Sequence, residues 1–402
     1  MQKKIIAMAV AGLASGAVFA QSNVTVYGVA DLGQAWVKSS SAKDLAGDKI
    51  DNQKTVSRLD SNSSLLGFKG VEDLGNGLKA VFQFESAVAA DVNGGFTGGR
   101  DSYVGLAGGF GTIVGGRLTH PLREMGVRVD ILPGDAGIGT VNSVTGQIDG
   151  IKTGADDRAS NAIAYVSPTF GGGFSATVAY VNGETKTNRD NVDTQGAANA
   201  RAWQIAGKYD NGPLFVGIGY HKTKDNVTND AGADVPGTAA GAAGLTSPQR
   251  NMDARVWRIA GVYTAPFGTR FSALWDNTQV KRVLDADTGP TLKRNAWSLG
   301  AAHPFGASTV GLQYAGSGKT KVSGDDDWND KANIWTAYYG YTLSKRTLVQ
   351  ARYTRLSNGK EGNFNFYNNP VSNNGADTGV GGLSDNGDAK YTGFMVGLRH
   401  TF

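Results

Sequence analysis

Apolar side chains return at every second position in one segment after another, and the connections between segments alternate between short and long. Leu78, Ala80, Phe82 and Phe84 share one face, while Lys79, Gln83 and Glu85 share the other. Trp203, Ile205, Gly207 and Tyr209 oppose Gln204, Ala206, Lys208 and Asp210, and Phe271, Ala273 and Trp275 oppose Arg270, Ser272 and Asp276. Trp335, Ala337, Tyr339, Tyr341 and Leu343 alternate with Thr336 and Thr342, and Val349, Ala351 and Tyr353 with Gln350, Arg352 and Thr354. A side-chain period of two belongs to β-strands with one greasy and one wet face. No stretch sustains the 3.6-residue repeat of a long amphipathic helix, and beyond the first twenty residues no apolar run is long enough to span a bilayer as a helix. The chain reads as all-β.

The connections narrow this further. Short, turn-forming ones fall at 74–77, 108–111, 168–171, 210–213, 265–268, 304–306 and 343–345, where Gly, Asn and Pro supply the backbone angles of tight hairpins. Long hydrophilic ones fall at 40–56, 91–99, 118–157, 184–199, 224–252, 280–293, 317–330 and 357–388. Seven short turns and eight long loops predict sixteen strands. A soluble sandwich has no reason to sort its loops by length, because both ends meet the same water. An antiparallel transmembrane β-barrel does, with short turns on the periplasmic rim and long loops outside. At sixteen strands the interior is an aqueous channel, so Lys79, Glu85, Lys208 and Asp276 are at ease on its wet wall. Phe110, Phe170, Phe267, Phe305 and Tyr341 near the short turns, with Trp257, Trp275, Trp297 and Trp335 further up, suit the two interfacial girdles.

Both ends fit export and closure of such a barrel. Lys3 and Lys4 precede an apolar stretch from Ile5 to Ala14, and Val18-Phe19-Ala20 has the small-residue pattern of a cleavage site. Residues 1–20 are therefore expected to be a signal peptide and 21–402 a single barrel domain. Of the 39 basic residues two leave with that peptide, and 35 acids remain, so the mature chain is close to neutral and no nucleic-acid partner is expected. There is no cysteine, which excludes disulfides and thiolate metal sites. His120, His221, His303 and His400 are scattered, no HExxH or Gly-x-Ser-x-Gly spacing occurs, and Gly318-Lys319-Thr320 lacks the first glycine of a P-loop. No metal, cofactor or enzymatic activity is expected. Asp325-Asp326-Asp327 could hold divalent cations, but a solvated loop face explains it as well. In the last segment Phe394, Val396, Leu398 and Phe402 alternate with smaller or polar residues, as a strand closing against the first, Asn23 to Val37, would require. His400 is the polar exception in that row.

Several stretches resemble the general-diffusion porins of the Gram-negative, β-proteobacterial outer membrane. They are Asn23-Val24-Thr25-Val26-Tyr27-Gly28-Val29-Ala30-Asp31 and Gly67-Phe68-Lys69-Gly70-Val71-Glu72-Asp73-Leu74-Gly75, then Arg100-Asp101-Ser102-Tyr103-Val104-Gly105-Leu106, Gly109-Phe110-Gly111-Thr112 and the closing Gly397-Leu398-Arg399-His400. The resemblance implies a homotrimer in a bilayer with lipopolysaccharide, inserted by the outer-membrane assembly machinery, which reads the face of Phe394, Val396, Leu398 and Phe402. It implies a third external loop, residues 118–157, folded into the barrel, with Glu124, Asp130, Asp135 and Asp149 facing a basic wall. Arg100 and Arg158 match arginines of that wall, and their shared parity with Ser102, and with Ser160 and Ala162, points them into the lumen. Lys69 and Arg117 are further candidates, with Arg58 in reserve; Tyr27 and Asp31 are expected to line the first strand. The chain departs from the pattern at Leu65, where many members carry arginine, so the basic cluster is thinner.

The function expected is passive diffusion of ions and small hydrophilic solutes, with size set by the loop and charge by the field across the constriction. Two rivals remain at this stage. A substrate-specific channel would show an aromatic ladder along the lumen, whereas most aromatics here lie on the apolar face. A surface adhesin would act through the long loops, and loss of attachment on deleting 224–252 or 357–388 with conductance intact would reveal it.

Overall fold

A computed structural model of the protein describes residues 23–43, 49, 52–93, 95–148, 151–183, 201–227, 251–283, 291–323, 328–367, 369–371 and 387–402. The expected signal peptide, Asp149 and Asp325–Asp327 lie outside them.

The alternating segments form a closed barrel of 16 antiparallel strands. β1 is Asn23–Ser40, β2 runs in two pieces, Val56–Ser61 and Leu65–Gly75, β3 is Leu78–Ala89 and β4 is Gly95–Gly108. β5 (Gly111–Thr119) and β6 (Arg158–Val166) flank the longest loop, which carries helix α1 (Pro121–Val129). β7 (Phe174–Val181), β8 (Arg201–Asn211), β9 (Leu214–Val227), β10 (Asn251–Thr264) and β11 (Arg270–Val283) continue the wall. β12 (Thr291–Phe305), β13 (Ser308–Ser317), β14 (Ala332–Ser344), β15 (Thr347–Asn358) and β16 (Lys390–Thr401) complete it. Every strand pairs with its sequence neighbours, and β16 closes on β1 from Val29↔Thr401 to Ser40↔Lys390. No edge is left, which is what a sheet surrounded by hydrocarbon needs.

The period-two pattern sorts as read. Trp203, Ile205, Trp257, Ile259, Trp275 and Leu299 are exposed on the outside, while Gln204, Arg258, Asp276 and Ser298 between them are buried within. The terminal row is outward too: Phe394, Val396, Leu398 and Phe402 are all exposed. At the seam Gly28 and Phe402 exchange both backbone hydrogen bonds, at 3.0 and 3.1 Å, and the Phe402 ring lies where a Cβ on Gly28 would stand. His400, the polar exception, shares a 2.9 Å hydrogen bond with the Thr347 hydroxyl of β15.

Two boundaries differ from the sequence reading. The second long loop is shorter than 91–99, because β4 begins at Gly95; Gly95, Gly98 and Gly99 take positive φ and let the strand continue through bulges. β2 breaks at 62–64 because Asp31 captures that stretch: Ser63 Oγ and Asn62 Nδ2 donate to its carboxylate at 2.9 and 3.2 Å, and its backbone N–H donates to Ser64 Oγ.

Candidate functional site

On the inner face of β1–β6 the charged side chains form pairs between neighbouring strands. Glu85 of β3 accepts from Tyr27 Oη at 2.8 Å and from Arg100 Nε at 3.1 Å, while Lys69 Nζ stands 4.9 Å over the Tyr27 ring. Asp101 of β4 accepts from Arg158 Nε at 3.0 Å and from Thr119 Oγ1 at 2.7 Å. Lys69, Arg100 and Arg158 are thus brought together, with Tyr27 beside them. The route by which Arg100 gets there differs. Ser102, whose parity was used to place it, alternates with Val104 and Leu106 on the exposed outer face. A bulge between Phe84 and Ser86 sets both Arg100 and Asp101 against Glu85, and this turns Arg100 inward.

Arg117 is not with them. It pairs in register with outward Ser102, alternates with exposed Ile113, and donates to Gly99 O at 2.9 Å and to Ser160 Oγ at 2.9 Å. Its expected place on the lumen wall is therefore corrected to the outer surface. There it lines a concavity of about 640 Å³ with Gly115, Asn161, Ile163 and Asn182. Leu65 sits on the inward parity with Gly67 and Lys69, so the missing arginine is missing from the wall itself.

Segment 118–157 packs against the inward parity of the opposite wall. Glycines open seats for its apolar side chains: a Cβ on Gly219 would lie 2.7 Å from Leu122 Cδ1, on Gly217 3.0 Å from Met125 Cε, and on Gly393 2.6 Å from Ile138 Cδ1. Polar wall residues take its backbone. Gln204 accepts Leu122 N–H, Gln313 accepts Ile131 N–H and donates to Gly139 O, Arg352 donates to Ala136 O and Ile138 O, and Arg294 donates to Val144 O and Gln147 O. Arg258, fully buried on β10, is bidentate to both Asp276 of β11 and Asp156 of the loop.

Asp130 and Asp135 find their partners away from Arg100 and Arg158, and Asp149 lies outside the described residues. Asp130 is buried and accepts Leu132 N–H at 2.8 Å and Val141 N–H at 2.9 Å, so it ties the loop to itself. Asp135 is buried 3.7 Å from Arg123. Burial pushes Asp130 up, and burial together with the neighbouring Asp130 carboxylate pushes Asp135 well above the usual carboxylate range. Glu124 is also pushed up by burial, against the opposing pull of Lys208. The acids that do meet Arg100 and Arg158 are Glu85 and Asp101, from the wall. Sequence reading put Glu85 on the wet wall and Arg352 on a polar strand face without a partner for either, and passed over Asp101, Arg258, Arg294 and Gln313 as site residues. The signal was present for Arg258, Gln313 and Arg352, which alternate with outward aliphatic or aromatic residues, as in Trp257-Arg258-Ile259 and Leu312-Gln313-Tyr314, but not for Arg294, which stands between Lys293 and Asn295.

Comparison with known proteins agrees with this architecture. The family model of the Gram-negative porins matches residues 7–361. Outer membrane porin protein 32 of Delftia acidovorans is 33% identical over 414 residues, covering 100% of both chains. An outer membrane porin protein of Bordetella pertussis is 28% identical over 435 residues, again 100% of both. The solved anion-selective porin from Comamonas acidovorans superposes with a TM-score of 0.69 at 29% identity, over 95% of this chain and 100% of that one. With a closed barrel, a wet inner wall and family similarity along its length, the chain belongs to the Gram-negative porins and forms a diffusion channel in the outer membrane.

Proposed function

We propose that the pore passes ions and small hydrophilic solutes down their gradients, that segment 118–157 is its constriction, and that the pore weakly prefers anions. The observation that carries this reading is the division of the interior. The loop is bonded to β8–β16, and the charged pairs of β1–β6 are left as the opposing wall. Within this cluster Lys69, Arg100 and Arg158 stand against Glu85 and Asp101, three cations to two carboxylates. The loop acids Asp130 and Asp135 are buried, and burial favours their neutral form, which carries no charge to the opening. The similar Comamonas acidovorans protein is named as anion-selective. The deciding experiment is the zero-current potential of purified protein in a salt gradient across a planar bilayer. A cation-selective sign would overturn the preference, and unchanged conductance after shortening 133–146 would overturn the constriction.

The same chain is proposed to act as a homotrimer among lipid and lipopolysaccharide, to be exported by a cleaved segment 1–20, and to present Phe394, Val396, Leu398 and Phe402 to the assembly machinery. Self-association is supported by a gap in the aromatic belt. Outward pairs Tyr180–Trp203, Tyr220–Trp257, Trp297–Tyr314, Trp335–Tyr353 and Trp36–Phe394 run from β7 round to β1. No tryptophan occurs between Trp36 and Trp203, and the outer face of β4–β6 carries Ser102, Arg117 and Asn161 beside the apolar Val104, Leu106, Ile113 and Ile163. Polar side chains gathered on an outward face near the loop end of β5 suit protein contact better than acyl chains.

A further inference from the structure

We propose that Arg258 is the positioning residue of the loop: one wall guanidinium clamps both ends of segment 118–157, so the wall, not the loop's own fold, sets where the segment lies. Its effect on the pore rests on the constriction reading above; its hold on the loop does not.

The geometry uses every N–H of the guanidinium. Nε and Nη2 donate to Asp276 Oδ1 and Oδ2 at 2.7 and 2.8 Å, and Nη1 and Nη2 to Asp156 Oδ1 and Oδ2 at 2.5 and 2.7 Å. The remaining Nη1 proton goes to Leu122 O at 2.7 Å. Leu122 lies in the first turn of α1, and Asp156 just before β6. Asp276 Oδ2 also accepts Gly146 N–H at 2.9 Å, so the beginning, middle and end of the loop meet at one point. The approach is close enough to demand glycine: at Gly146, with φ 70°, a Cβ would stand 1.8 Å from Asp156 Oδ2. Arg123 steadies the same corner by donating to Asp156 O at 2.6 Å.

The other wall contacts are different in kind. Gln204, Arg294 and Arg352 each bind a single stretch of loop backbone, by carbonyl or N–H, and Gln313 joins Ile131 to Gly139 within the middle of the loop, all without a charged partner there. Arg258 joins stretches far apart in sequence through charge-assisted, bidentate bonds, whose planar fork fixes direction as well as distance. A buried ion cluster of this type adds little stability over apolar packing, so its main consequence is placement.

The chain lacks cysteine, so Val127→Cys, on the exposed side of α1, gives a unique spin-label site that reports helix motion. The test variant is Arg258→Met/Asp156→Asn/Asp276→Asn, which removes the whole cluster and leaves no buried charge unpaired. With the barrel intact by heat-modifiable gel mobility, the label should gain a mobile component absent from the parent. Single-channel conductance should rise about twofold with frequent substates, because the narrowest section governs conduction. A label as immobile as in the parent overturns the proposal. A mobile label with unchanged conductance upholds Arg258 as the clamp and defeats the constriction reading instead. If the triple variant does not fold, Arg258→Lys keeps the charge and loses the fork. It should loosen the label in part, and an unchanged spectrum there also overturns the proposal.

Discussion

Arg100 and Arg158 each hold their charge beside a carboxylate on a neighbouring strand, so removing one member of a pair exposes the other. Arg100→Ala leaves Glu85 unpaired on the wall, and Arg158→Ala does the same to Asp101. Both should shift the zero-current potential toward cations, while Glu85→Gln should shift it toward anions. A potential that does not move in these variants would remove the residues from the constriction. Asp135 behaves differently because it is buried and its pKa lies well above the ordinary range. A raised carboxyl binds its proton more tightly in the docked loop than in a free one, so docking is favoured at low pH. Docking weakens as pH rises from the ordinary carboxylate range toward the raised value. Asp135→Asn removes that ionisation cost, and should raise the thermal midpoint more at pH 8 than at pH 5. Equal shifts at both pH values would show that Asp135 does not carry the dependence. None of these pairings was legible in the residues alone. Parity read from Ser102 would have sent Arg100 outward had the strand been regular, and the bulge that turns it inward leaves no pattern in the sequence beyond nearby glycines.

At the scale of elements, strands were readable because lipid on one side and water on the other impose a strict period of two. The loop was not, because its form comes from contacts with strands distant in sequence. Its seats are glycines at inward positions. Gly219→Val would drive a methyl against Leu122, an overpacking that costs about 1–3 kcal/mol and lifts α1 while the barrel persists. The expected readouts are greater mobility of a label on α1 and unchanged heat-modifiable migration. Loss of the barrel itself would mean that the seat supports more than the loop. At the seam, Phe402 covers Gly28 and closes the β1–β16 ladder at its lower end. Deleting Phe402 should cut the yield of assembled barrel far more than it alters the conductance of pores that do form. Equal assembly by wild type and truncated chain would assign the row ending at Phe402 to packing alone.

At the scale of the whole molecule, the belt of tryptophan and tyrosine runs from β7 round to β1, and the proposed subunit contact lies in its gap over β4–β6. Arg117, in that gap, should tolerate neither reversal of charge nor a bulky neighbour. Arg117→Glu is expected to reduce the oligomer resistant to dodecyl sulfate while leaving monomeric barrels folded, as read by gel mobility and light scattering. An unaltered oligomer would place the subunit contact elsewhere. Composition alone would have supported a basic pore here, since four candidate wall cations stood in the right part of the chain. Three reach the lumen side and one does not, because one side of a strand faces the channel and the other faces away.

The sequence by itself determined the strand count, the barrel, the sorting of short turns from long loops and the outward row ending at Phe402. All of these follow from local alternation under a two-solvent constraint that acts on every segment independently. Tertiary structure decided which charges meet. Arg258 joining Leu122, Asp156 and Asp276, Asp31 gathering Asn62 and Ser63, and Asp130 turning back into its own loop depend on through-space distances between residues far apart in the chain. Those distances are set by barrel closure, by bulges and by the path of one long loop, and no periodicity encodes them.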